Sequence, residues 1–179
     1  MKNRSGKLAL GGVMTALALA FLLLSAVPVT EISLAVLAGM VGVPVVIETG
    51  RRAGLLQYAA VSLLALLLVP AVEGKGLYIA FFGYYPVLKA VLEGSRLPRP
   101  AEWAVKLAVF NGSMVAAYYI MLTFFHLDSD AFTIGGVPLP WVFLLAGNLV
   151  FLLYDWCLTR LIALYMAKWH PRVRKLFHL

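Results

Sequence analysis

A single cysteine, Cys157, stands in a chain of 179 residues. That rules out an internal disulfide and any metal site built from several thiolates. Charge is scarce too: Asp, Glu, Lys and Arg make up 13% of the residues, against about 25% in an ordinary soluble domain. Histidine occurs only at His126, His170 and His178, and no HExxH, CxxC, phosphate-loop or Gly-x-Ser-x-Gly pattern is present. Intramembrane protease and ATPase chemistry therefore have nothing to run on. No catalytic residue, metal or cofactor is expected, and the chain reads as a non-enzyme.

What fills the sequence instead is apolar. Hydrophobic residues make up 63% of it, and the mean hydropathy is +0.92. No water-soluble fold of this length hides so much apolar surface, so the composition predicts a polytopic membrane protein. Windows of about 20 apolar residues mark spanning helices. Six are read, at approximately 8–27, 32–49, 54–72, 76–92, 103–125 and 141–165. The expected fold class is all-α, a single six-helix integral membrane domain over residues 1–179. The basic start "MKNRSGK" resembles a secretory leader, but the apolar run from Leu8 to Val27 exceeds the roughly 7–15 residues of a signal core. It is expected to be a retained first helix.

The cations set the orientation. With the N-terminus inside, the inner connections and ends hold fourteen of the fifteen: Lys2, Arg4, Lys7, Arg51, Arg52, Lys89, Arg96, Arg99, Lys106, Arg160, Lys168, Arg172, Arg174 and Lys175. The outer side holds only Lys75. This bias predicts a multi-pass protein of the cell membrane with both termini cytoplasmic. The net charge of +7 is then topological, with the lipid bilayer and its anionic headgroups as partner and no nucleic acid. The outer loops carry Glu31, Glu73, Asp128 and Asp130.

Charged groups at membrane depth are costly and call for an explanation. Glu48 precedes Arg51 and Arg52 by three and four positions, the helical order for an ion pair. Lys89 and Glu93 are likewise four apart, and Lys106 can snorkel to the inner interface. Asp155 lies fourteen residues past Trp141, about 21 Å along a helix. Its expected partners are Lys106 from the fifth span or Arg160 from its own helix, as an intramembrane charge pair. Asn111 and Asn148 either join helices by hydrogen bonds or hold a ligand.

"LYIAFFGYYP" places Tyr78, Phe81, Phe82 and Tyr85 on one helical stripe beside Tyr84, with Pro86 just below. Tyr118 and Tyr119 fall at similar depth in the fifth span. Interfacial aromatic belts are common, yet tyrosines below the interface need hydrogen-bond partners. An aromatic-walled cavity open to the outside would supply them. Its expected substrate-binding residues are Tyr78, Phe81, Phe82, Tyr85, Tyr118, Asn148 and Glu73.

The first span, "LALGGVMTALALAFLL", keeps small residues at every fourth position: Gly12, Ala16 and Ala20. In lipid, such a stripe lets another helix approach closely. The second span repeats the device with Ala35/Gly39 and Ala38/Gly42. Either stripe can pack inside the bundle or dock a separate membrane protein.

Over nearly its whole length the chain resembles the substrate-binding S components of energy-coupling factor (ECF) transporters. The likeness rests on length, six spans, the basic start, "TALALA" with Ala16-x-x-x-Ala20, "FFGYYPVLKA" and "GNLVFLLYDWCLTRL". It implies a vitamin-uptake subunit that captures a small-molecule solute from outside. Its partners would be a transmembrane coupling subunit and ATPase subunits, docked at Ala16 and Ala20 with Gly12 as an extension. The aromatic wall and the acidic outer loops around Glu31, Glu73 and Asp128 suit a flat, cationic ring compound, through stacking and cation–π attraction. The alternative is a non-transporting scaffold similar to rod-shape-determining membrane subunits, with an enzyme handling lipids third.

Overall fold

The computed structural model describes residues 2–27, 30–124, 133–134, 137–138 and 140–177. Each apolar stretch is helical. In chain order the helices are α1 (Lys2–Leu24), α2 (Glu31–Met40), α3 (Gly42–Thr49), α4 (Arg51–Leu68), α5 (Val72–Leu77), α6 (Tyr85–Glu93), α7 (Arg99–Phe124), α8 (Pro140–Leu164) and α9 (His170–Phe177). Two π-helical turns, Tyr78–Phe82 and Tyr165–Trp169, join α5 towards α6 and α8 to α9. Between α7 and α8 the two-residue strands β1 (Thr133–Ile134) and β2 (Val137–Pro138) pair antiparallel. Among the described residues, four helices are long and apolar enough to cross a membrane: Arg4–Leu24, Glu31–Thr49, Arg51–Leu68 and Trp141–Phe177. The architecture is that of a helical membrane protein.

Three boundaries differ from the sequence reading, each for a local reason. The 32–49 stretch breaks at Val41, because Pro44 has no N–H to give the Met40 carbonyl four residues back. The connection to α4 shrinks to Gly50, whose φ of 96° only glycine adopts without strain. The last helix does not stop near 165 but continues through its π-turn to Phe177.

Packing follows helical phase. On α1, Leu10, Ala18 and Leu22 are fully buried, while Gly12, Ala16 and Ala20 are exposed. The two sets are offset by two residues, about 200° around the helix. Burying the first against α2 and α4 therefore turns the small-residue stripe outwards. The second stripe does the opposite. Ala35, Ala38 and Gly39 are buried, and a Cβ on Gly39 would run into the Phe82 carbonyl. There the glycine admits another backbone of the same chain.

The ends sort themselves by contact. Ser25 meets Gly74 near Glu31 at one end. At the other, His170 reaches Glu48, Arg51 reaches the Ala90 carbonyl and α9 packs on α1.

Gly39→Ala is expected to destabilise the protein by about 1–3 kcal/mol, the cost of overpacking. Gly12→Ala, on the open face, is expected to be neutral or to stabilise by up to about 1 kcal/mol through helix propensity. The shift in denaturation midpoint of the purified protein measures both.

Candidate functional site

The polar interior is built from three helices. On α6, Tyr85, Lys89 and Glu93 repeat at four-residue intervals and so line one stripe. Pro86 sits in the first turn of α6, where a missing N–H costs nothing. On α7, Glu102, Lys106 and Phe110 repeat the interval, and on α8 Phe151 and Asp155 do the same. Packing α6 against α7, and α7 against α8, brings these stripes together.

They meet at one oxygen. Asp155 Oδ1 accepts from the Tyr85 hydroxyl at 2.5 Å and the Lys89 ammonium at 2.6 Å, with Lys106 Nζ 3.4 Å away. Lys89 also pairs with Glu93 at 2.5 Å. Lys106 reaches Glu93 at 2.9 Å and Glu102 at 2.7 Å, and lies 5.1 Å over the Trp103 ring. Both lysine side chains are 1% exposed, whereas Glu93 is 40% exposed. The network thus runs from a dry carboxylate to a wet one. Two ammonium groups face three carboxylates, so each buried cation has an anion in contact. This arrangement holds three helices in register.

The sequence-predicted partners of Asp155 therefore stand as follows. Lys106 is brought to it, but only as the more distant cation, and it is buried rather than snorkelling. Arg160 is not brought to it: its guanidinium lies over the Trp156 ring on the exposed side. Five residues beyond Asp155, and so about 140° around the helix, position 160 points away from the α6–α7 side. Lys89 and Tyr85 are the partners that sequence reasoning missed, although the 85–89–93 spacing carried the signal. Glu48 departs in the same way. Its Oε1 accepts from the Tyr165 hydroxyl at 2.9 Å and lies 2.6 Å from His170 Nδ1, not against Arg51 or Arg52. Arg51 instead donates to the Ala90 carbonyl.

The aromatic residues pack rather than line a cavity. Tyr78, Phe81, Phe82 and Tyr85 are 0–3% exposed. Phe81 stands edge-on to Phe110 and Phe151, which stack on each other at 4.8 Å. The π-turn widens the inward face of this segment, so adjacent Phe81 and Phe82 are both buried. Tyrosine hydroxyls find partners inside the protein: Tyr58 donates to the Ile79 carbonyl, and Tyr84 pairs with Ser113. The expected hollow behind these rings is filled by Phe110, Phe151 and Tyr154.

Asn148 is also occupied. Asn111 and Asn148 exchange two amide hydrogen bonds of 2.9 Å, and each donates to the carbonyl four residues before it. That reciprocal pair joins α7 to α8. Glu73 is half-buried in the first turn of α5. His126, Asp128 and Asp130 lie outside the described residues.

Open space appears elsewhere, on both flanks of α7. One cleft of about 200 Å³ is walled by Leu77, Met114, Tyr118, Trp141 and Leu144. Another of about 280 Å³ is walled by Leu66, Val72, Ile79, Ser113 and Ile120. Both are smaller than the roughly 300–1,000 Å³ of typical ligand pockets. Of the predicted substrate residues, Tyr118 lines the first of these clefts.

Asp155→Asn is expected to cost about 3–5 kcal/mol, because it strips buried Lys89 of its closest interhelical anion. Arg160→Gln is expected to cost no more than about 1 kcal/mol, the worth of an exposed cation–π contact. Asn148→Ala should fall between them, at about 1–2 kcal/mol. Unfolding midpoints in bicelles order the three. No family model matches the chain, and no curated protein or solved structure matches it either.

Proposed function

We propose that this chain is the solute-binding membrane subunit of an ECF-type importer. It crosses the cell membrane six times with both ends cytoplasmic, and it docks through α1 on a transmembrane coupling subunit whose ATPase partners drive uptake. One observation carries the reading: the Gly12, Ala16 and Ala20 stripe is exposed while the opposite side of α1 is buried. Association in lipid depends on close backbone approach, which a flat stripe permits and a leucine face prevents. The orientation is supported by the gathering of the basic connections at the end where His170 meets Glu48. The solute would enter from the other end, by the cleft at Tyr118 and Trp141. Its apolar walls suit a vitamin-like ring that stacks on aromatics, and they offer a cation no carboxylate among the walls described above.

A second reading has an observation of its own. Phe81, Tyr85, Phe110 and Phe151 pack ring against ring in the core, as befits a scaffold that binds partners rather than a solute.

Two measurements separate the readings. Co-expressed with coupling and ATPase subunits, the importer subunit is expected to co-purify with them. Ala16→Leu and Ala20→Leu should each weaken that assembly about tenfold, equivalent to about 1.4 kcal/mol. Thermal stabilisation of the wild-type protein by a member of a vitamin panel is expected as well, and should shrink in Tyr118→Ala. Assembly that survives both leucines removes the docking face. Docking without any solute response selects the scaffold.

A further inference from the structure

The chain after Asp155 contains no acidic residue. Lys168, Arg172, Arg174 and Lys175 there are all exposed. Because α9 packs on α1, this basic segment shares one end of the bundle with exposed Arg4 and Lys7. Among the described residues, none of these cations makes an ion pair or hydrogen bond within the protein. That sets them apart from Lys89 and Lys106, which are paired, and from Arg51 and Arg160, which rest on a carbonyl and a ring.

The same segment carries an apolar sector. At about 100° per residue, Trp169, Val173 and Leu176 fall within about 60° of one another, and Lys168, Arg172 and Lys175 fill the adjoining sector. Trp169 is 55% exposed and Leu176 72%. The segment is not a loose tail. The π-turn directs Tyr165 and His170 to the same Glu48 oxygen, which fixes where α9 starts and which way it faces.

We propose that α9, with the first turns of α1, forms a binding site for an anionic phospholipid of the leaflet in which it lies. The phosphate sits among Arg172, Lys168 and Lys175, supported by Arg4 and Lys7, and the acyl chains lie along Trp169 and Leu176. A helix with a basic sector beside an exposed tryptophan–leucine sector lies in the membrane interface, not in water. Each cation near an anionic lipid surface contributes about fivefold in affinity. Unpaired cations beside exposed apolar side chains match a phosphodiester carrying hydrocarbon, and match neither half alone.

The test is thermal melting of the full-length protein in detergent, titrated with dioctanoyl phosphatidylglycerol, dioctanoyl phosphatidylcholine and glycerol 3-phosphate. Phosphatidylglycerol is expected to act at a markedly lower concentration than phosphatidylcholine, and glycerol 3-phosphate to act hardly at all. The double variant Arg172→Gln/Lys175→Gln should lose about 25-fold of the phosphatidylglycerol effect and keep the phosphatidylcholine effect. Trp169→Ser should weaken both lipids. Arg96→Gln/Arg99→Gln, which removes two exposed cations from the connection after α6 and the first residue of α7, should change little. The proposal is overturned by equal responses to the two lipids, by glycerol 3-phosphate matching phosphatidylglycerol, or by the Arg96/Arg99 variant losing as much as the Arg172/Lys175 variant. Bound-lipid masses from native mass spectrometry of the unsubstituted chain give a readout that needs no variant, and they should show phosphatidylglycerol retained over phosphatidylcholine.

Discussion

A carboxylate withdrawn from water must find its counter-charges inside the protein, and Asp155 finds them on two other helices. Lys89 and the Tyr85 hydroxyl come from α6, and Lys106 comes from α7. Each of the two lysines, 1% exposed, thereby has anions in contact: Asp155 and Glu93 for Lys89, and Glu93 and Glu102 for Lys106. The aromatic layer beside it depends on the same alignment. Tyr85 both caps the carboxylate and packs on Phe81 and Phe151, so the polar network and the ring cluster share a side chain. The reciprocal Asn111–Asn148 amides add a second tie between α7 and α8. These contacts account for why the fourth, fifth and sixth apolar stretches pack as one unit.

Small residues serve opposite ends in the first two stretches. Gly39 is spent on a backbone approach inside the bundle, against Phe82. Gly12, Ala16 and Ala20 face outwards, and a Cβ on Gly12 would meet nothing. The difference is one of phase. Leu10, Ala18 and Leu22 claim the interior of α1, and the stripe two residues away is left on the outside. A face so placed has its consequence in the membrane plane, where only another helix or lipid can cover it.

Charge is sorted with equal clarity. Where the chain buries cations, it supplies anions from the next turn or the next helix, as at Lys106 with Glu102 and Glu93. Among the described residues, the exposed cations from Lys168 to Lys175 and at the start of α1 are unpaired, and the first group lies beside exposed Trp169 and Leu176. The Glu48 clasp on Tyr165 and His170 connects the two regimes, since a buried carboxylate positions the basic helix.

Much of the architecture was legible from residue type alone, because a bilayer leaves the backbone few alternatives to the helix. The helical character of each apolar stretch, the scarcity of interior charge and the 85–89–93 spacing needed no coordinates. Contacts were less legible. Of the two partners expected for Asp155, Lys106 is brought to it at 3.4 Å, whereas Arg160 is turned to Trp156. Glu48 was assigned to its neighbours in sequence, yet its partners lie more than a hundred residues away. The aromatic stripe was seen, but not that Phe110 and Phe151 would fill the space behind it. Local pattern determines which side chains share a face; it cannot determine what that face meets. In this protein the sequence set the helices, their apolar lengths and their stripes. Only the tertiary packing decided which stripe became core, which charge found which counter-charge, and which small-residue face was left open.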